Sequence, residues 1–96
     1  MKTQLPIDER RLATILKKNG VLHASIFGSF GRGDANEKSD VDLLVAYRPG
    51  TTLFDIIQLQ NELEDTVARK VDLVSEKSLS KRLAKRIKHD LRPLDL

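Results

Sequence analysis

Three short apolar runs of strand length limit the folds open to this chain. VLHASIF spans residues 21–27, VDLLVAY spans 41–47 and KVDLV spans 70–74. Between the second and third runs, residues 53–69 carry apolar side chains at helical spacing, which predicts a strand–helix–strand unit. Strands joined by such a crossover run parallel to each other, and the crossover is right-handed.

Two further helices are predicted nearer the ends of the chain, over 8–19 with Asp8 as the N-cap and over 78–90. Residues 28–39 are rich in Gly, Asn, Asp and Ser, which predicts a turn region, and this connection is long enough for a turn with a short helical piece. The strands on either side of that turn are therefore expected to be antiparallel neighbours. The predicted order is α-β-β-α-β-α. We expect an α+β (α/β) fold in which helices flank a small three-stranded mixed sheet.

The composition is that of a globular protein. Its 96 residues suffice for one domain, expected to span 1–96, and its 40% apolar and 32% charged residues argue against wholesale disorder. Cysteine is absent, which excludes disulfides, thiol nucleophiles and cysteine metal sites and fits a reducing compartment. No run approaches the roughly 20 apolar residues of a membrane span, and the N-terminus lacks the apolar core of a signal peptide. We expect a cytoplasmic protein without a membrane partner.

Positive charge is concentrated towards the C-terminus. The net charge is +3, and residues 76–96 hold seven basic against three acidic residues. Such a segment can meet nucleotide phosphates, nucleic acid or an acidic protein, or it can be the solvated face of the last helix. These readings stay open at the level of the residues.

A glycine-rich turn directly follows the first predicted strand and offers groups that bind phosphate. Gly28 allows close backbone approach, Ser29 supplies N–H and hydroxyl donors, and the guanidinium of Arg32 can fork onto phosphate oxygens. This turn is therefore a candidate site for a polyphosphate.

Carboxylates stand where the second and third predicted strands begin. Asp40 and Asp42 flank a valine and share one face by strand alternation, and Asp72 lies at the start of the third strand. The predicted topology brings these strand starts to the edge where the first strand ends. Clustered carboxylates repel each other unless a cation compensates, and oxygen ligands beside phosphate donors suit Mg²⁺. Together with the turn, they predict a site for Mg²⁺ and a nucleoside triphosphate, in which two ions can clamp an in-line displacement.

The same residues resemble a known signature. Gly28-Ser29, then ten residues, then Asp40-Val41-Asp42 match the GS-X10-DXD pattern of the DNA polymerase β-like nucleotidyltransferase superfamily. The fuller run GSFGRG…SDVDLLV, followed by KVDLV, resembles its minimal nucleotidyltransferase family, the MNT or MntA-type antitoxins. The resemblance covers about residues 10–90 and implies the polymerase β-like fold.

The resemblance also implies a reaction, the transfer of AMP from ATP to a hydroxyl with release of pyrophosphate. In this reading, Asp40, Asp42 and Asp72 bind the Mg²⁺ ions, two in number, and are the catalytic residues. Asp72 completes the metal site and helps to activate the attacking hydroxyl.

The remaining implied roles concern the nucleotide and the partner. Gly28 and Ser29 would hold the triphosphate of ATP, with Arg32 as a further phosphate contact. The implied partner is a HEPN-domain RNase toxin, modified on a tyrosine, with this chain as the antitoxin of a type VII toxin–antitoxin pair. Homo- or hetero-oligomers are compatible with this reading, and nucleic acid is not the expected partner.

Two alternatives to adenylyl transfer onto a toxin remain open. The chain can be an antitoxin that masks the HEPN toxin by binding, with catalysis incidental. It can also be a nucleotidyltransferase for a small-molecule or nucleic-acid acceptor, which requires an acceptor pocket that the sequence does not reveal. The three converging acids favour retained chemistry, because binding alone does not need them.

Overall fold

The computed structural model describes residues 5–96 of the chain. Its elements, in order, are α1 (Glu9–Lys18), β1 (Val21–Phe27), α2 (Gly28–Arg32), β2 (Val41–Tyr47), α3 (Leu53–Val67), β3 (Val71–Ser75), a 3₁₀ turn (Glu76–Ser78), α4 (Lys81–Ile87) and β4 (Arg92–Pro93). Among the helices of this described part, none is long and apolar enough to cross a membrane.

The strands form one mixed sheet in the order β3-β2-β1-β4. β1 and β2 pair antiparallel, and β2 and β3 pair parallel, as the sequence predicts. The expectation of three strands is wrong, because β4 adds a fourth by pairing antiparallel with Ser25 and Ile26 of β1. A two-residue strand that contains a proline has no alternating pattern, so only its pairing at the sheet edge identifies it.

The two predicted strands around the glycine-rich turn have the expected bounds, and the helices are shorter than predicted. Asp8 caps α1 by accepting a 2.8 Å hydrogen bond from the N–H of Arg10. α3 ends at Val67 rather than at residue 69, because Ala68 adopts the left-handed conformation (φ 56°) that terminates helices. β3 consequently starts at Val71, one residue later than predicted.

The predicted helix over 78–90 is wrong at both ends. Residues 76–78 form a 3₁₀ turn, and α4 begins only after Ser80, whose hydroxyl accepts a 3.1 Å hydrogen bond from the N–H of Leu83. A serine at an N-cap starts a helix at the next residue, and this places α4 over Lys81–Ile87.

The two faces of the sheet are covered by different helices. α1 and α3 cover one face, where Leu16 and Leu59 pack with Leu43, all fully buried. α4 covers the other face, where Ile87 packs with Leu44. Burying a leucine side chain completely contributes about 1.5–3 kcal/mol, so these contacts determine which side of β2 faces which helix. Asp42, which precedes Leu43 in β2, consequently lies on the same face as Leu44, towards α4.

Candidate functional site

The end of β1 leads directly into the short helix α2. Phe27 is extended, and Gly28 begins α2 with φ +69°, a value in the left-handed region that favours glycine. Ser29 follows it, half-buried, and its carbonyl accepts the hydrogen bonds from Gly33 and Asp34 that close the turn. The predicted phosphate-binding residues therefore lie at the end of β1.

Asp42 is brought to the same point by the pairing of β2 with both of its neighbours. It lies opposite Phe27 on the antiparallel β1 and opposite Asp72 on the parallel β3. Strand alternation places Asp42 on the face that α4 covers, and Asp40, two residues earlier, lies on the same side. The three acids predicted from sequence converge at this edge of the sheet.

The backbone of Gly28 lies against the side chain of Asp42. A Cβ added to Gly28 would overlap the Oδ2 atom of Asp42 and approach its Cγ at 3.1 Å. Only a residue without a side chain allows the carboxylate of Asp42 to lie so close to the turn. The candidate phosphate site and the candidate metal site are thus adjacent.

Burial and charge together disfavour the ionised form of Asp42. The pKa of its carboxyl is raised, first by partial burial and then by the negative charges of Asp72 and Asp40. The positive charges of Arg32 and Lys70 oppose this shift. A cation bound between the acids would remove the repulsion, and this is the electrostatic property expected of a metal-binding site.

The carboxylates fit Mg²⁺ only together with ligands from elsewhere. Within residues 5–96, no three acidic or imidazole side chains lie close enough to coordinate one ion on their own. Mg²⁺ is usually bound in enzymes by one or two carboxylates together with substrate phosphates and water. The donor set of Asp40, Asp42 and Asp72 beside a candidate phosphate-binding turn agrees with this pattern.

Arg32 is held at the rim of the site by two carboxylates. Its Nε donates to Asp34 at 3.1 Å, and its Nη1 donates to Asp90 at 3.1 Å. These hydrogen bonds raise the pKa of Arg32, the bond to Asp34 most strongly. The side chain of Asp90 is only 15% exposed, so it links α2 to the segment that follows α4.

An open cleft of about 420 Å³ contains most of the predicted site residues. One wall comes from the end of β1, from α2 and from the start of β2. The other wall comes from α4 and from Asp90, which follows α4 in the chain. The lining residues are Phe27, Gly28, Ser29, Arg32, Asp40, Asp42, Leu83, Arg86, Ile87 and Asp90. Asp72 is exposed and lies beside this cleft, next to Asp42 on the edge strand β3.

Sequence reasoning did not identify the α4 wall. Leu83, Arg86 and Ile87 fit the pattern of a basic amphipathic helix, and that pattern does not indicate which face of the sheet the helix covers. The alternation of side chains in β2 could have indicated this wall. It places Leu44 on the same face as Asp42, and a buried leucine there requires an apolar element to pack on it. Arg86 adds a cation to the wall opposite the glycine-rich turn.

Comparisons with known proteins find a matching family model and several similar proteins. The family model described as Polymerase beta, Nucleotidyltransferase matches residues 10–94. A Methanocaldococcus jannaschii relative named as a candidate protein adenylyltransferase (MJ0435) is 40% identical over 79 residues, which are 82% of this chain and 85% of the relative. A solved structure described as a candidate minimal nucleotidyltransferase has a TM-score of 0.78 at 37% identity, covering 90% of this chain and 88% of the other.

A more distant solved structure has a similar fold. It is a chain from the Shewanella oneidensis complex of a tri-AMPylated HEPN toxin with an MNT antitoxin. The TM-score is 0.69 at 21% identity, covering 91% of this chain and 68% of the other. Together, these matches agree with a mixed α+β fold around an open four-stranded sheet.

Proposed function

Because the chain belongs to the polymerase β nucleotidyltransferase family and is a nucleotidyltransferase, we propose that it transfers AMP from ATP to a hydroxyl of a partner protein. The observation that carries this proposal is the contact between Gly28 and Asp42, which places the candidate phosphate-binding turn and the acids next to each other on one wall of the cleft. Phosphate donors beside metal-binding acids are what a Mg²⁺–ATP substrate requires.

The turn and the acids have separate tasks in this reaction. The backbone at Gly28 and the N–H and hydroxyl of Ser29 bind the triphosphate, and Arg32 contributes a charge-assisted phosphate contact. Asp40, Asp42 and Asp72 would hold the Mg²⁺ ions, which supply charge neutralisation on the transferring phosphate when bound.

Asp72 also receives the proton of the attacking hydroxyl. The hydroxyl oxygen forms a bond to the α-phosphorus of ATP, its proton passes to a carboxylate oxygen of Asp72, and the bond from the α-phosphorus to the bridging oxygen breaks to release pyrophosphate. Asp72 is exposed on the edge strand β3, so a hydroxyl on a large partner can approach it from outside. This accessibility supports a protein acceptor.

The partner we propose is a HEPN-domain toxin, modified on a tyrosine, with this chain as its antitoxin in the cytoplasm. The similar fold in the complex of a tri-AMPylated HEPN toxin with an MNT antitoxin supports this choice. The relative's name as a candidate protein adenylyltransferase supports the same class of reaction.

An antitoxin that acts by binding is the second candidate function. The side chains of Leu53 and Phe54 at the start of α3 are 70% and 84% exposed. Exposed apolar side chains of this size suit a protein contact and have no role in phosphate chemistry. Both candidates predict a complex with the toxin, and they differ in whether the acids are required.

The test combines mass spectrometry of the toxin with a growth assay. Purified chain, cognate HEPN toxin, Mg²⁺ and each nucleoside triphosphate in turn are incubated, and adducts on the toxin are mapped. We expect AMP on a tyrosine with ATP, and no adduct with the Asp40→Asn variant. Wild-type protein that modifies no toxin residue with any nucleotide contradicts the proposal. An Asp40→Asn variant that still binds the toxin and protects cells supports the binding-only function.

A further inference from the structure

One arginine outside the predicted site contacts the loop that leads into Asp40. Arg69 lies in the turn between α3 and β3. Its Nη1 donates hydrogen bonds to the carbonyl oxygens of Asn36 at 2.8 Å and Ser39 at 3.0 Å. Ser39 immediately precedes Asp40, so Arg69 holds the backbone directly before a predicted metal ligand.

The loop that Arg69 contacts also has hydrogen bonds within itself. The N–H of Asn36 donates to the Oγ of Ser39 at 2.8 Å, and the N–H of Lys38 donates to the Oδ1 of Asn36 at 2.8 Å. The N–H of Ser39 donates to the carbonyl of Asn36 at 3.1 Å. These bonds shape the loop without fixing its place in the fold.

Two connections locate this loop relative to β3. One is the pair of hydrogen bonds from Arg69, and the other is the 3.0 Å bond from the N–H of Val41 to the carbonyl of Lys70. Both originate in the turn that ends two residues before Asp72. The same turn therefore joins the loop before Asp40 to the start of β3, in addition to the pairing of β2 with β3 that sets Asp42 opposite Asp72.

Arg69 also contacts the phosphate-binding helix. Its guanidinium carbon lies 5.3 Å from the centroid of the Phe30 ring, within the range of a cation–π interaction. Phe30 is 3% exposed and follows Ser29 directly in α2. One side chain thus touches the helix that carries Ser29 and the loop that leads into Asp40, from the turn that precedes β3 and Asp72.

We propose that Arg69 is a positioning residue that keeps Asp40 in register with Ser29 and Asp72 for nucleotidyl transfer. This inference rests on the proposed function. A planar guanidinium suits the task, because it can donate to two carbonyl oxygens while its face stacks on an aromatic ring. Its effect is geometric, since Arg32 and Lys70 are the cations that oppose the raised pKa of Asp42.

The first test needs no nucleotide. Hydrogen exchange of the backbone amides of residues 34–41 is compared in wild type, Arg69→Met, Arg69→Lys and the control Arg11→Met. Arg11 is an exposed arginine on α1, away from the site. We expect exchange of this loop to be about tenfold faster in Arg69→Met, intermediate in Arg69→Lys and unchanged in Arg11→Met.

The second test measures the binding of Mn²⁺–ATP by calorimetry, with kcat and KM for ATP measured in parallel. Loss of a residue that orients metal ligands typically costs about 10- to 100-fold in metal affinity or activity. For Arg69→Met, we expect a loss of this size in the affinity for Mn²⁺–ATP and in kcat, with a smaller change in the KM for ATP. Arg69→Lys should partly restore both the affinity and kcat.

Several outcomes would overturn the inference. An Arg69→Met protein with a lowered Tm but with wild-type loop exchange and Mn²⁺ affinity would show that Arg69 only stabilises the fold. A wild-type protein that binds no Mn²⁺–ATP contradicts the proposed function itself, and the inference with it. If Arg69→Met does not fold, Phe30→Leu removes the ring and keeps the core apolar; unchanged loop exchange and Mn²⁺ affinity there would also contradict the inference.

Discussion

The Oδ2 atom of Asp42 occupies the space that a Cβ would take on Gly28. A carboxylate from the second strand therefore packs directly on the residue that starts α2, the candidate phosphate-binding helix. This contact links the two parts of the candidate site, and it can be tested by adding one methyl group.

Gly28→Ala should abolish most of the activity. The alanine forces Asp42 away from its position, and a displacement of about 1 Å at a reacting centre can cost about 100-fold in rate. The left-handed backbone adds strain of roughly 1–2 kcal/mol for a non-glycine residue. AMP transfer and urea unfolding of the variant measure the two effects.

Gly50→Ala is the matched control for that variant. Gly50 has φ +88°, also in the left-handed region, but nothing lies within 4 Å of its Cβ position. It should show a similar loss of unfolding free energy and retain wild-type transfer. Equal activity in the two alanine variants would contradict the role given to the Gly28–Asp42 contact.

Asp42→Asn should stabilise the nucleotide-free protein at neutral pH while abolishing transfer. The pKa of Asp42 is raised by partial burial and by Asp72 and Asp40, so the folded state disfavours its ionised form. Removing the charge should add about 0.5–1 kcal/mol to the free energy of unfolding, limited by solvent screening. For a domain of this size, that corresponds to a rise of a few degrees in Tm.

The stabilisation by Asp42→Asn should depend on pH in one direction. The pKa of Asp42 is higher in the folded protein than in the unfolded chain. The neutral carboxyl of Asp42 therefore stabilises the fold fully at a pH below its unfolded pKa, and this stabilisation is lost as the pH rises through its folded pKa. The Tm difference between Asp42→Asn and wild type should therefore shrink as the pH falls through that range. Asp95→Asn, which removes an exposed acid elsewhere, should show no such trend. A pH-independent difference would contradict this assignment.

Arg86→Gln should weaken ATP binding. Arg86 lines the cleft from α4, opposite the turn at Gly28 and Ser29. Losing a hydrogen bond to a charged phosphate corresponds to about a tenfold rise in KM for ATP, and the effect should be smaller at high ionic strength. Lys85→Gln removes one charge from the same helix and should leave KM close to wild type. If both substitutions raise the KM for ATP equally, the weaker binding results from the lower net charge, and the direct role of Arg86 is contradicted.

The pairing of Arg32 with Asp90 should matter more for stability than its pairing with Asp34. The bond to Asp34 contributes most to the raised pKa of Arg32, but the Asp34 side chain is 61% exposed and that of Asp90 is 15% exposed. Solvent screens the first pair, while the second joins α2 to the end of α4. Double-mutant cycles with Arg32→Gln and each Asp→Asn variant, followed by urea unfolding, should give the larger coupling for Asp90. The reverse order would contradict the packing argument.

The glycine–acid part of the candidate site was predictable because its residues lie close to each other in sequence. β1 and β2 have the predicted bounds, since each is a largely apolar run, followed directly by Gly28 for β1 and within two residues by Pro49 for β2. The signature begins in the connection between them, at Gly28, and ends at Asp42 in β2. Their antiparallel pairing then brings Phe27 opposite Asp42.

The α4 wall was not predictable for the opposite reason. Arg86 and Asp90 reach the cleft only because α4 covers the face of β2 that carries Leu44 and Asp42. The helical stripe in the sequence fits cover on either face of a sheet equally well. Arg69 carries no motif, and its contacts with Asn36, Ser39 and Phe30 depend on how three separate segments pack.

The sequence by itself determined the local features: the first three strands, the crossover unit, the glycine-rich turn and the candidate acids that lie beside it. Those features depend on residues that are near neighbours along the chain, where spacing and residue type are sufficient. Only the tertiary structure decided which helix forms the second wall, that a fourth strand closes the sheet edge beside β1, and which arginine holds the loop before Asp40. These depend on contacts between residues far apart in sequence, and packing of the two sheet faces selects among arrangements that the local pattern allows equally.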